Sequence, residues 1–193
     1  MKNKFLPIAV FLVLFGAFYR VFRLEFLPDL PNFAPLMAIA FCGGMFLPGR
    51  LAWTIPVGSL LISDLFLNVH YGASLMDWSM PVVYACYVLA VFMGTKLRGA
   101  GLLALLGATV GNAVVFYLVT NTLAWLGNPL YPQTFAGLIQ SLTVGLPGFP
   151  PTWTFFRNSL AGDLIFTALF AGAFYLARNR SAEPNLCRQE SSL

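Results

Sequence analysis

Residues 101–122 read GLLALLGATVGNAVVFYLVTNT, twenty-two positions without a charge. At a helical rise of ~1.5 Å per residue, such a run covers the ~30 Å hydrocarbon core of a bilayer. The run therefore reads as a transmembrane helix, and the chain around it repeats the theme. Five more apolar runs lie at Phe5–Phe22, Phe33–Leu47, Leu51–Val69, Pro81–Thr95 and Phe155–Ala177. Some of them are short for spanning, so tilt or local thinning is expected. Only 9% of the residues are charged, 59% are hydrophobic and the mean hydropathy is +0.77, whereas a soluble domain carries about a quarter charged residues. Lipid must cover what charge cannot. With about 20 residues per span, 193 residues hold six or seven spans and no soluble domain. The expected fold is all-α, a single integral membrane bundle (residues 1–193) of six transmembrane helices, with residues 178–193 as a tail.

Lys2 and Lys4 precede the first run, which ends in Tyr19-Arg20-Val21-Phe22-Arg23 with no small-residue cleavage site, so it reads as an uncleaved helix. Pro48-Gly49-Arg50 and Lys96-Leu97-Arg98-Gly99 are tight turns. The connections at 23–33, 68–80 and 123–154 are longer, and the last is proline-rich with a short helix expected near Gln133–Val144. A cytoplasmic N-terminus puts eight basic residues inside (Lys2, Lys4, Arg50, Lys96, Arg98, Arg178, Arg180, Arg188) and three outside (Arg20, Arg23, Arg157). That bias predicts both termini inside and the long loops outside, in a multi-pass protein of a bacterial inner membrane. Trp78, Trp125 and Trp153 then mark the outer interface.

The polar residues within the runs gather at that outer end. Asp64 lies near the end of the third run, Asn121 at the end of the fifth, and Arg157, Asn158 and Asp163 in the first turns of the sixth, with Arg20 and Arg23 closing the first. An ionisable residue at membrane depth faces the bundle interior or a wet cavity. Two readings follow. Asp64 and Asp163 pair with arginines to lock helices together, or they floor an outward-facing ligand cavity roofed by the long loops. Both can hold at once.

His70 is the lone histidine, with Met76, Asp77 and Met80 nearby. A loop histidine is commonly solvated or capping, yet neutral imidazole also ligates metals well. Cys42 and Cys86 fall inside apolar runs and Cys187 in the tail, so free thiols are expected, packed as small core residues. No phosphate-binding glycine loop appears, so the chain does not hydrolyse ATP by itself. No nucleophile–base pair is legible, and the expectation is that the protein is not an enzyme. Its basic residues sit in short loops and tails, which gives no footprint for nucleic acid.

Four stretches carry a resemblance: residues 31–44 (PNFAPLMAIAFCGG), 63–70 (SDLFLNVH), 119–125 (VTNTLAW, with Tyr131-Pro132 following) and 156–163 (FRNSLAGD). They resemble an uncharacterised bacterial family of small six-helix membrane proteins, which in turn is similar to the substrate-binding S-components of energy-coupling-factor (ECF) vitamin transporters. The resemblance implies a six-helix bundle with cytoplasmic termini that binds a vitamin under its outer loops. Partner-dependent S-components dock on a coupling module through small residues spaced by four on the first helix. Here Ala9, Val13 and Ala17 break that pattern. The chain is also similar to solitary cobalamin-specific S-components, in which a cobalt-ligating cysteine lies between an acidic residue and a tyrosine. Asp64 and Tyr84 match the flanking places, but no cysteine lies between them, and His70, Met76 and Met80 are the donors on offer.

The expected function is therefore uptake of a vitamin, with cobalamin as the first guess for a transported ligand and no intrinsic cofactor. The substrate-binding residues implied are Asp64, His70, Met80, Tyr84, Asn121, Arg157, Asn158 and Asp163, with His70 as the ligand to a corrinoid cobalt. The competing reading is a structural or scaffold protein of the cell envelope. A scaffold does not require polar residues gathered at one end beneath long loops.

Overall fold

The computed structural model describes residues 6–72 and 78–180, and for residues 6–10, 70, 71 and 177–180 the backbone alone. Among the described residues there are seven helices and no strand: α1 (Leu6–Phe26), α2 (Leu36–Phe46), α3 (Leu51–Tyr71), α4 (Met80–Lys96), α5 (Leu102–Gly127), α6 (Phe135–Leu142) and α7 (Thr152–Arg180). Three of them contain stretches long and apolar enough to cross a bilayer, Leu51–Val69, Leu102–Gly127 and Thr152–Leu176. The protein is an all-helical membrane protein.

The helices outrun or undershoot the apolar runs for local reasons. α1 continues to Phe26 instead of ending at Phe22, because Arg20 and Arg23 find acceptors on neighbouring segments. α5 runs on to Gly127 because Leu123–Gly127 stays apolar. α7 begins at Thr152, directly after Pro150-Pro151, which cannot continue a helix backwards. α3 extends to Tyr71, so the backbone of His70 belongs to the last helical turn and not to a loop. Met80 opens α4, also outside the loop expected to hold it. The short helix expected within the last long connection is α6, whose N-terminus is capped by the Thr134 hydroxyl accepting from Gly137 N at 3.2 Å.

α2 differs from the rest. Pro35 and Pro48 confine it to eleven residues, about 16 Å by helical rise, too short to span alone. Leu36 through Met45 are all buried, as expected for a helix apolar on every side. α1, α3, α4 and α7 all pack against it. Inside a bilayer, lipid tails compete with apolar side chains for each other, so close backbone approach has to hold helices together. Gly44 of α2 lies on the Val91 carbonyl of α4, and Gly94 of α4 lies on the Phe41 carbonyl of α2. A Cβ at either glycine would overlap backbone. Beyond α4, Arg98 turns back and donates to Gly44 O from Nε (3.1 Å) and Nη2 (2.9 Å) and to Leu47 O (2.8 Å). A cation thus satisfies carbonyls that the end of α2 leaves open.

α1 and α7 meet through rings. Phe15 lies edge-on to Phe170 (6.1 Å) and Tyr19 to Phe166 (5.1 Å), so the two helices run antiparallel. Tyr175 near the end of α7 donates to Ala100 O just before α5, which makes α5 and α7 antiparallel as well. One end of the bundle therefore carries the tight turns at 47–50 and 97–101. The other gathers the 27–35 connection and the 128–151 segment with α6. This second, loop-rich end holds the polar groups.

Candidate functional site

Two polar arrangements occupy the loop-rich half. In the first, α1 and α3 run parallel and bring Arg20 to Asp64, with Nη1 2.5 Å from Oδ1. The same Nη1 donates to Ser63 Oγ at 2.7 Å. From α4, the Tyr84 hydroxyl donates to the other Asp64 oxygen at 3.0 Å. Three helices are thus tied at one carboxylate. The side chains of Arg20 and Asp64 are 25% and 16% exposed, so most of each charge's hydration has been replaced by its partners. Charge-assisted bonds of this kind are roughly twice as strong as neutral ones.

The second arrangement is a cavity of about 380 Å³ between the last turns of α5, the first turns of α7 and the 128–151 segment. Its walls are largely aromatic: Phe116 and Tyr117 of α5, Phe149 of the segment, Phe155 and Phe156 of α7. The Tyr117 and Phe156 rings stand 4.7 Å apart. Its polar lining comprises Asn32, Thr120, Asn121, Asn128, Tyr131, Thr152 and Ser159, with the Tyr117 hydroxyl. Asn32 holds a left-handed backbone (φ 61°) in the 27–35 connection, a conformation asparagine tolerates better than most side chains. Burial raises the Tyr131 phenol above its ordinary value of 10.0, so it stays neutral at physiological pH.

The segment over the cavity is tied to itself and to α5. Trp125 Nε1 donates to Pro132 O at 2.8 Å, and Gln133 Nε2 returns a bond to Trp125 O at 2.8 Å. Gln140 Nε2 donates to Gly145 O at 3.0 Å across a turn that Gly145 makes with φ 72°. The Tyr117 hydroxyl donates to Leu142 O, pinning α6 to α5. A second recess of about 400 Å³ lies between α4 and the end of α5 and shares Thr120 and Asn128 with the first. The Trp78 ring there lies directly on Gly127.

Of the substrate-binding residues the sequence singles out, Asn121 alone lines the cavity among the described residues. Asp64 and Tyr84 belong to the ion-paired knot. Asn158 is buried, its Oδ1 accepting from Arg157 Nε and Nη2 at 3.2 Å each. Arg157 also lies over the Trp153 ring at 5.4 Å. Asp163 is 2% exposed inside the bundle, within electrostatic range of Tyr87, as are Arg20 and Asp64. Met80 is half-buried at the start of α4. The His70 side chain, Met76, Asp77 and Cys187 lie outside the described residues, and with them the cobalt ligation expected of His70. Cys42 and Cys86 are free and buried, as expected. No metal-holding cluster of His, Cys, Asp or Glu occurs among the described residues.

Sequence reasoning missed Asn128, Tyr117, Tyr131 and Ser159 of the cavity, and Asn112, whose Nδ2 is buried without a partner. Tyr117 and Asn121, four apart on α5, share a face by helical period alone. The contribution of the 128–151 segment carries no such signal.

The family model described as "Family of unknown function (DUF6580)" matches residues 1–186. The chain is also 36% identical over 114 residues to a protein of Sodalis glossinidius (strain morsitans) that is named as one subunit of an ion-translocating oxidoreductase complex. That alignment covers 54% of this chain and 31% of the relative, so the chain spans about a third of that protein's length. No solved structure matches.

Proposed function

The chain belongs to the DUF6580 family, whose function is unknown, and from that premise we propose that it is a membrane substrate-binding protein for uptake of a vitamin-sized small molecule. The observation that carries this reading is the cavity at the loop-rich end, aromatic on its walls, dotted with amides and hydroxyls, and covered by a self-tied segment. Concave, mostly apolar sites with a few placed polar groups are the usual form of a small-molecule site. The basic bias of the sequence turns this end outward, which suits capture from outside a cell. In this reading α1–α5 and α7 are the six spans, α2 reaching across with its neighbours' help.

A volume of about 380 Å³ lies toward the small end of the ~300–1,000 Å³ typical of such sites. It suits a ligand built on two or three fused rings and falls short of the cobalamin implied by the resemblance.

Two experiments test the proposal. Purified protein is screened against vitamins and related heterocycles by thermal shift, with a Phe156→Ala variant as control. The expected result is one compound class that raises the melting temperature of the unaltered protein only. A screen with no hit, or with hits kept in full by the variant, removes the support. Reporter fusions after Lys96 and Arg180 both report cytoplasm in this arrangement, and a periplasmic signal at either turns the cavity inward.

The partial match to the Sodalis protein favours a second reading, a membrane component of a larger ion-translocating redox assembly. Purification from native membranes separates the two. Stoichiometric partner proteins that depart together with the chain support the assembly, and a chain that arrives alone with a bound small molecule supports capture.

A further inference from the structure

Resting on the reading of this cavity as a ligand site, we propose that its ligand is a small organic cation, a flat apolar body bearing one positive nitrogen, and that Asp163 is its counter-charge.

Asp64 and Asp163 differ in what meets them. Asp64 is held by Arg20 and Tyr84. Asp163 is 2% exposed, and no hydrogen bond or ion pair reaches its carboxyl among the described residues. A carboxylate at membrane depth is costly unless a cation or a wet cavity meets it. The helices bring no cation to this one. Arg20 is committed to Asp64, Arg98 to carbonyls at the far end of α2, and Arg157 to Asn158 and the Trp153 ring.

Its place is beneath the cavity. Thr152, Phe155, Phe156 and Ser159 of α7 line that space, and by helical period Asp163 falls within the arc they cover, about one turn past Ser159 on the same face. Side chains on a helix lean toward its N-terminus, which for Asp163 is the cavity side. Gly162 packs on Ala34, Cys42 Sγ lies 3.9 Å from Thr167 O, and Phe46 stacks on Phe174. α2 therefore runs parallel to α7 and begins at the height of Asp163, with Asn32 of the preceding connection in the cavity lining. The positive end of α2 steadies a negative charge there, but it supplies only about half an elementary charge. On the α4 side, Asp163 is within electrostatic range of Tyr87, whose ring stands edge-on to Phe116 of the cavity wall at 6.1 Å.

The walls suit a cation as well. Phe116, Tyr117, Phe149, Phe155 and Phe156 line the space, and ring faces attract a cation within ~6 Å, most strongly where water is excluded. The rest of the polar lining is amide and hydroxyl. Of these, the Tyr117 and Thr120 hydroxyls are spent on Leu142 O and Phe116 O. None of these groups carries a charge that repels a cation. An anion would meet the negative faces of the same rings, with the Asp163 carboxylate below them.

The test titrates three flat probes of similar size into the full chain in nanodiscs of zwitterionic lipid by calorimetry: N-methylquinolinium, quinoline at a pH where its ring is neutral, and 1-naphthoate. The expected result is that N-methylquinolinium binds about ten-fold or more tighter than quinoline, and that naphthoate does not bind. Asp163→Asn keeps the shape of the side chain and removes its charge. It is expected to bring N-methylquinolinium down to the affinity of quinoline and to leave quinoline unaffected. Phe156→Leu serves where Asp163→Asn does not fold, and lowers affinity for the cation about five-fold more than for quinoline. Quinoline binding as tightly as N-methylquinolinium, with Asp163→Asn altering neither, overturns the charge assignment and leaves the cavity a ligand site. If no organic probe binds, but sodium chloride raises the melting temperature above that in N-methylglucamine chloride, and only with Asp163 present, the residue holds an inorganic cation and the proposal falls. It falls too if neither the probes nor sodium have any effect, and the ligand-site reading is then decided separately by the vitamin screen.

Discussion

The polar knot of α1, α3 and α4 and the cavity of α5, α7 and the 128–151 segment lie in the same half of the bundle, and both are built from residues that are costly in a membrane. In the knot, every strong group has a strong partner: Asp64 receives Arg20 on one oxygen and Tyr84 on the other, and Ser63 takes the remaining reach of the guanidinium. In the cavity, the amides of Asn121 and Asn128 spend one half on nearby backbone and leave the other half open. A cluster whose opposite charges are already paired holds helices in place, because a ligand would have to compete with a charge for either partner. An unsaturated one can receive a ligand. Polarity at membrane depth therefore does not by itself mark a binding site, and the accounting of donors and acceptors does.

The largest expected effect is on the knot. Asp64→Ala leaves Arg20 half-buried without its counter-charge. A fully buried broken pair costs ~3–5 kcal/mol, and the partial exposure of both side chains (25% and 16%) reduces this to roughly 2–3 kcal/mol, read as a lower midpoint in thermal unfolding. Ligand affinity measured below that midpoint stays unchanged. The double variant Arg20→Leu with Asp64→Leu recovers most of the loss, since the unpaired charge, and not the missing contact, is the cost. If Asp64→Ala abolishes binding in a protein that melts normally, the contrast between knot and cavity is wrong.

Tyr84→Phe removes a single hydrogen bond to the carboxylate and keeps the ring, with an expected loss of about 1–1.5 kcal/mol and again no change in affinity. Gln133→Ala cuts the tie from the covering segment to Trp125 O. At that exposed site the loss is about 0.5 kcal/mol, confined to faster amide hydrogen exchange over residues 128–134 and faster ligand release. Asn121→Leu changes stability by no more than about 0.5 kcal/mol and affects binding alone, the mirror image of Asp64→Ala.

The smallest expected effect is that of pH. Burial holds the Tyr131 phenol above 10.0, so it remains protonated through the physiological range, and no Asp, Glu, Lys, Arg or His lines the cavity among the described residues. Affinity for an uncharged probe is then flat from about pH 6 to 8.5. A slope in that window brings in a titrating group from outside the lining.

Composition and run length alone determined that this is a helical membrane protein, because uncharged runs of about twenty residues in a chain with 9% charged residues fit helical spans, whose backbone bonds close within each segment. The turns at Pro48-Gly49 and Gly99, the short α6 and the gathering of polar residues at one end were legible for the same local reasons: proline and glycine punctuate helices, and periodicity fixes height along them. The partners of those residues were not legible. Asp64, Asn121, Asn158 and Asp163 are alike in the sequence, polar positions near helix ends, yet one is ion-paired, one lines the cavity, one holds an arginine and one is enclosed. Which of these each becomes depends on the rotation of its helix about its own axis and on what the neighbouring helix presents at that height. Both are set by contacts between residues far apart in the chain, such as Gly44 on the Val91 carbonyl and Tyr117 on Leu142 O. Helical period says which residues share a face. Only packing decides what that face meets.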